Sequence, residues 1–179
     1  MFISMARKEA ARRYPPIARL VADHLPEGRE APVVLDLGSG PALLLPEVAR
    51  LMPHARLIAM DPSRPMLQLA RRVLSEAGPG TYEIMEGSAE AIPLPDGSVD
   101  VVVAIKNLHE WEDAPKGMSE VDRVLCPGGV FIVKDSNRAY PYWKLRAIAA
   151  IARLTHGRIA AGKYLGCLLY TSPSPRDRS

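Results

Sequence analysis

The stretch from Val33 to Ala42, VVLDLGSGPA, constrains this chain more than any other. It opens as an apolar run interrupted by a single acid, Asp36, and ends in two glycines in three positions, Gly38 and Gly40. A short apolar run bounded by glycine reads as a buried strand. Pro32 suits its first residue, where a missing N–H is tolerated. The chain must turn sharply at the end of such a strand, and glycines let the backbone take positive φ and approach a ligand closely. A ligand site is therefore expected at Gly38, Ser39 and Gly40.

The pattern that follows sets the architecture. A helix is expected from about Leu43–Leu45 to Met52, with Pro46 in its first turn. ARLIAM gives a second strand ending at Asp61. Ser63 then caps a helix with apolar spacing at Met66, Leu69, Ala70 and Val73 and a stop at Gly78. TYEIMEG reads as a third strand, VDVVVAI as a fourth and PKGMSEVDRVL as a helix. GGVFIVKD gives a fifth strand after a Pro127-Gly128-Gly129 turn. Strands alternating with helices imply an α/β fold, a Rossmann-like doubly wound sheet of at least five parallel strands with flanking helices. Ala6 to Leu25 has the spacing of an amphipathic cap helix despite Pro15-Pro16.

A length of 179 residues suits one domain, and 47% hydrophobic with 24% charged residues is ordinary globular usage. No apolar run is long enough to cross a bilayer, and two cysteines build neither a disulfide framework nor a zinc site. A soluble, cytoplasmic protein is expected. A net charge of +3, without a basic stripe interleaved with aromatics, gives no reason to expect a nucleic-acid partner.

Residues 1–28 read as the cap, 32–135 as the core and 139–166 as a basic helical segment. That segment carries Arg138, Lys144, Arg146, Arg153, Arg158 and Lys163 at or just before it and no acid. Packing on the sheet explains it; 142–163 also suits peripheral contact with an anionic membrane surface. The last residues, CLLYTSPSPRDRS, break abruptly from what precedes them. Codons for Cys167 to Asp177 can be written to resemble a sequencing adapter read in frame. The expectation is that 167–179 is a non-native or disordered tail and that the closing strands of the sheet are missing.

Two ligand classes share a glycine loop at this point: dinucleotides, through G-x-G-x-x-G, and S-adenosylmethionine, with an acid two residues before the first glycine. GSGPAL places Leu43 where the dinucleotide fingerprint wants glycine. Asp36 would repel a pyrophosphate and attract an ammonium. Asp61, 25 residues on, suits a pair of ribose hydroxyls in either class.

VVLDLGSGPA, AMDPSRPMLQLAR, EGSAEAIPLPDGSVDVVVAIKNLHEW and EVDRVLCPGGVFIVKD together resemble the successive motifs of class I S-adenosylmethionine-dependent methyltransferases. The likeness runs from Val33 to Asp135 and extends to the small-molecule branch that includes quinone-biosynthesis C-methyltransferases. The resemblance implies that Asp36, Gly38, Ser39 and Gly40 hold the methionine end of the cofactor. Asp61 and Pro62 would border its ribose, and Met66, Ser88 and Ala89 its adenine. Three positions depart from the family pattern: Ser88, commonly Asp; Ala42 in place of a third glycine; and Lys106, often apolar.

Methyl transfer from a sulfonium is an in-line displacement that needs no metal. It needs a positioned acceptor, here a small molecule, and a base when the acceptor is a hydroxyl or an acidic carbon. His109 is the candidate base; the alternative is a loop residue that shapes the pocket. Trp111 either lines an acceptor pocket or packs on the core. Tyr14, Tyr140, Tyr142 and Trp143 are candidates for a lid. A non-catalytic cofactor-binding module and a nicotinamide-dependent oxidoreductase stay open as alternative functions.

Overall fold

The computed structural model describes residues 2–26, 28–134, 159–160 and 167–171. Seven strands form one sheet in the order β3-β2-β1-β4-β5-β7-β6. The strands are β1 (Val33–Leu37), β2 (Arg56–Asp61), β3 (Thr81–Glu86), β4 (Val99–Ile105), β5 (Leu125–Lys134), β6 (Ile159–Ala160) and β7 (Cys167–Thr171). The first five are parallel, each pair in continuous register apart from one irregularity between β4 and β5. The helices are α1 (Phe2–Asp23), α2 (Leu45–Leu51), α3 (Arg64–Ser75) and α4 (Ala114–Val124).

Successive side chains of a strand point to opposite faces, so a strand covered on both faces reads as continuously apolar. That is the pattern here. Val34, Leu57, Ala59, Val101 and Val103 pack under α1, α2 and α3. Leu35, Ile58, Met60, Val102 and Ala104 pack against Val121 and Val124 of α4 and against Ala89, Ile92 and Leu94. Each fully buried Leu or Ile contributes about 1.5–3 kcal/mol. The α1 helix passes through Pro15 and Pro16 unbroken. The carbonyls that lose their donors belong to Ala11 and Arg12, both exposed to water, while Ile17, Ala18 and Val21 are buried on the other side.

Four expectations are corrected. The Pro127-Gly128-Gly129 turn lies inside β5, where Val99 pairs with Leu125 but Val101 pairs with Val130. The extra residues bulge out of the ladder, with Gly128 at φ 81. The buried stripe of α3 is Leu67, Ala70, Val73 and Leu74, with Met66 and Leu69 at its margin. The edge beyond β5 has closing strands: β7 runs antiparallel to it, Val130 opposite Thr171 and Lys134 opposite Cys167, and β6 pairs with β7. Cys167–Thr171, within the stretch expected to be non-native or disordered, is thus extended on β5, which offers it an unpaired backbone edge. Ile159 and Ala160 are extended rather than helical; the remainder of 139–166, with Tyr140, Tyr142 and Trp143, lies outside the described residues.

In this strand order the chain leaves β1 toward β2 on one side and reaches β4 on the other. The loops after β1 and β4 diverge at their carboxyl ends and open a crevice, the usual ligand position in doubly wound sheets.

Candidate cofactor-binding site

The loop after β1 holds three left-handed residues at alternate positions: Gly38 at φ 68, Gly40 at φ 54 and Ala42 at φ 55. Ala42 pays the steric penalty of a Cβ in that region, of order 1 kcal/mol, and is fully buried. The loop is tied to the end of β2. Ser39 N donates to Met60 O at 2.9 Å, and Gly40 N donates to Asp61 Oδ2 at 2.8 Å. Asp61 Oδ1 accepts from Ser63 N at 2.8 Å. Ser63 stands at the N-cap of α3, but its hydroxyl makes no capping bond there, contrary to the expected role. Each carboxylate oxygen of Asp61 keeps a second lone pair for a ligand hydroxyl.

Asp36 sits in β1, two residues before Gly38, buried at 4% exposure on the face covered by α1. Burial and, after it, the Asp61 carboxylate push its pKa up to about 7. The Tyr14 hydroxyl of α1 is held above its ordinary value by burial and then by the charge of Asp36. Tyr14 is half-buried and packs against the core on that face.

Two polar side-chain atoms at the loop are buried without a hydrogen-bond partner, Ser39 Oγ and Asn107 Oδ1. Such groups ordinarily find a partner. Orphaned acceptors, a buried acid and a backbone that admits close approach together fit the ammonium end of S-adenosylmethionine. They do not fit a pyrophosphate.

On the far side, Ala89 is buried and Ser88 half-buried in a loop that Arg123 clamps to α4. Arg123 donates to Ile92 O at 2.8 Å, to Leu94 O at 2.9 Å and to Glu120. The Ser88 hydroxyl bonds Glu90. Met66 is half-buried in the first turn of α3, and Pro62 is exposed just before it.

His109 lies on a 3-10 turn, Leu108–Glu110, directly after β4. Its ring is about one-third exposed, with Nε2 3.8 Å from Glu110 Oε1. Trp111, next in the chain, packs: its ring stacks on Phe131 at 6.4 Å and 23° and lies against Gly117, where a Cβ would come within 2.6 Å. That contact anchors the His109 turn to α4.

Sequence reasoning missed Asn107. Its signal was a lone amide directly after the apolar run of β4, in AIKNLHEW.

The methyltransferase-domain family matches residues 35–133, the span that contains every group above except Tyr14. The chain belongs to the class I S-adenosylmethionine-dependent methyltransferases. It is 31% identical over 153 residues to a demethylmenaquinone methyltransferase of Thermus thermophilus, covering 79% of this chain and 68% of that one. It is 31% identical over 142 residues to a ubiquinone/menaquinone biosynthesis C-methyltransferase of Hahella chejuensis, covering 74% of this chain and 57% of that one. The solved structure of a SAM-dependent methyltransferase from Aquifex aeolicus shares the fold, with a TM-score of 0.68 at 24% identity, covering 87% of this chain and 88% of that one. This methyltransferase thus spans roughly half to two thirds of the length of these two curated relatives. S-adenosylmethionine is the cosubstrate that membership implies. Among the described residues no helix is long and apolar enough to cross a membrane.

Proposed function

We propose that this chain transfers the sulfonium methyl group of S-adenosylmethionine to a small-molecule acceptor. Asp36, Gly38, Ser39 and Gly40 receive the methionine end, Asp61 and Pro62 the ribose, and Met66, Ser88 and Ala89 the adenine. The single observation that carries this reading is the buried Asp36 carboxyl just before a left-handed loop, pushed up by burial and then by the charge of Asp61. A cation relieves two crowded acids, and a pyrophosphate adds to them.

When bound, S-adenosylmethionine supplies an electrophilic methyl group. The protein's share of the work is positional. The loop and Asp61 fix one reactant at the carboxyl ends of β1 and β2, while the 3-10 turn after β4 borders the space left for the other. Holding two reactants in line is worth up to about 7–11 kcal/mol of the barrier. His109 is the group we assign to take a proton when the acceptor is a hydroxyl or an acidic carbon. The two curated relatives, named for quinone-type acceptors, make an electron-rich ring carbon the first acceptor to test.

The test is calorimetric titration with S-adenosylhomocysteine and, separately, with NADH. Micromolar binding of the first and none of the second is expected. Binding of NADH alone would return the site to the oxidoreductase class. Tight binding of S-adenosylhomocysteine without methyl transfer to any of a panel of phenols and quinols would favour the non-catalytic module.

A further inference from the structure

Asn107 is a buried polar residue of the site for which methyl transfer itself gives no use. It comes two residues after the end of β4, and the intervening Lys106 has a left-handed backbone at φ 58, which a side-chain-bearing residue adopts only at a cost. Lys106 N is held by Lys134 O at 2.8 Å. This turn throws the chain off β4 and brings the Asn107 carboxamide against the glycine loop, at 7% exposure.

Asn107 Nδ2 donates to Leu37 O, and to Gly38 O at 3.2 Å. Two carbonyl partners fix which end of the carboxamide is the amine, since an oxygen there would face two acceptors. A Cβ on Gly38 would fall on this side chain, 2.8 Å from Asn107 Cγ. The glycine is therefore demanded by Asn107 as well as by φ. The other end of the amide, Oδ1, is buried and has no partner. Leaving such an acceptor unsatisfied is costly, because its desolvation is not repaid. It shares the loop with Ser39 Oγ, also unpartnered, and with the Asp36 carboxyl one residue before Leu37. An ammonium, with three N–H donors and no acceptor, is the group that unpartnered oxygen acceptors at this loop suit.

We propose that Asn107 is a specificity-determining residue: its Nδ2 holds the glycine loop against β4, and its Oδ1 receives one N–H of the ammonium on the methionine arm of the cofactor. This rests on the reading that the site takes S-adenosylmethionine. The residue thereby selects for the amino-acid arm rather than for the nucleoside.

The probes are S-adenosylhomocysteine, which carries that arm, and 5′-methylthioadenosine, which lacks it. Their dissociation constants are compared in the wild-type chain, in Asn107→Ala and in Asn107→Leu, which keeps the packing volume. The expected result is a 10- to 30-fold loss for S-adenosylhomocysteine in either variant, with 5′-methylthioadenosine unchanged within twofold. A purely structural role would weaken both ligands equally, and an unmoved ratio overturns the proposal while the cofactor reading stands. Wild-type protein that binds neither ligand overturns the cofactor reading itself. Should both variants fail to fold, the side-chain amide resonances of Asn107 decide in wild-type protein. They shift with S-adenosylhomocysteine and stay in place with 5′-methylthioadenosine; identical responses to the two ligands refute the inference.

Discussion

Two buried aspartates lie at opposite ends of the same sheet. Asp100, at the amino end of β4, is fully employed: it accepts from Val33 N at 2.8 Å, from Arg29 Nε at 2.8 Å and from Cys126 Sγ at 3.2 Å. Asp36, at the carboxyl end of β1, is buried beside another acid and is pushed up to a pKa of about 7. Around Asp100 the amino end of the sheet is closed by satisfied hydrogen bonds, although Tyr82 Oη near the start of β3 is buried without a partner. The other end keeps orphaned acceptors at Ser39 and Asn107 and left-handed residues at Gly38, Gly40, Ala42 and Lys106. Among the described residues the two non-glycine residues with a left-handed backbone, Ala42 and Lys106, both stand at the end where the strand order opens a crevice, and a fold stores such strain where a ligand will answer it.

The contrast can be broken most forcefully at its stable end. Replacing Asp100 with Ala removes the acceptor for Val33 N and Cys126 and leaves Arg29 without its carboxylate. Urea denaturation should show a loss of about 3–4 kcal/mol with cofactor affinity within twofold of wild type. A comparable fall in affinity would mean that the two ends are not separable.

At the other end, Asp61→Asn places an amine where Gly40 N or Ser63 N now donates. A loss of about 30- to 100-fold in affinity for S-adenosylhomocysteine is expected by titration calorimetry, at roughly 1 kcal/mol of stability. Asp36→Asn sharpens the comparison further, because it should stabilise. A carboxyl whose folded pKa lies above its unfolded value of about 3.9 favours folding when protonated. That advantage is complete below the unfolded pKa and is lost as pH rises toward 7. The uncharged variant escapes the loss, so it should gain about 2 kcal/mol, and at most about 4, when unfolded by urea at pH 8, with little difference at pH 4. It should do so while binding the cofactor more weakly. Arg123→Ala is the smallest of the four. Freeing Ile92 O and Leu94 O should cost about 1–2 kcal/mol and speed amide exchange in 88–96, with the β1 loop unaffected.

Much of this division was legible before any coordinates. The bounds of β1 and β4 follow from apolar runs that end in glycine or in polar residues, and the charge of Asp36 inside such a run already argues for a cation. What stayed hidden depends on contacts across the chain. Asn107 matters because its amide reaches Leu37, 70 positions away, and one-dimensional spacing carries no trace of that. The hydroxyl of Ser63 looked like a cap because its position is right, yet it makes no bond to the first turn of α3, where Pro65 carries no N–H to offer it. The Pro127-Gly128-Gly129 turn became a bulge because β4 continues to pair on both sides of it. The pairing of Cys167–Thr171 with β5 is set by an open sheet edge more than by any pattern in those residues.

Asp36 must be ionised to receive a cationic ligand. Titrating the wild-type chain and Asp36→Asn with S-adenosylhomocysteine from pH 5.5 to 8.5 tests it. With the acid near 7, wild-type affinity should rise about tenfold per pH unit below pH 7 and level off above it, while the variant binds weakly with a flat profile over the same range. A flat wild-type profile, or a variant that binds as tightly as wild type at pH 8, would contradict it.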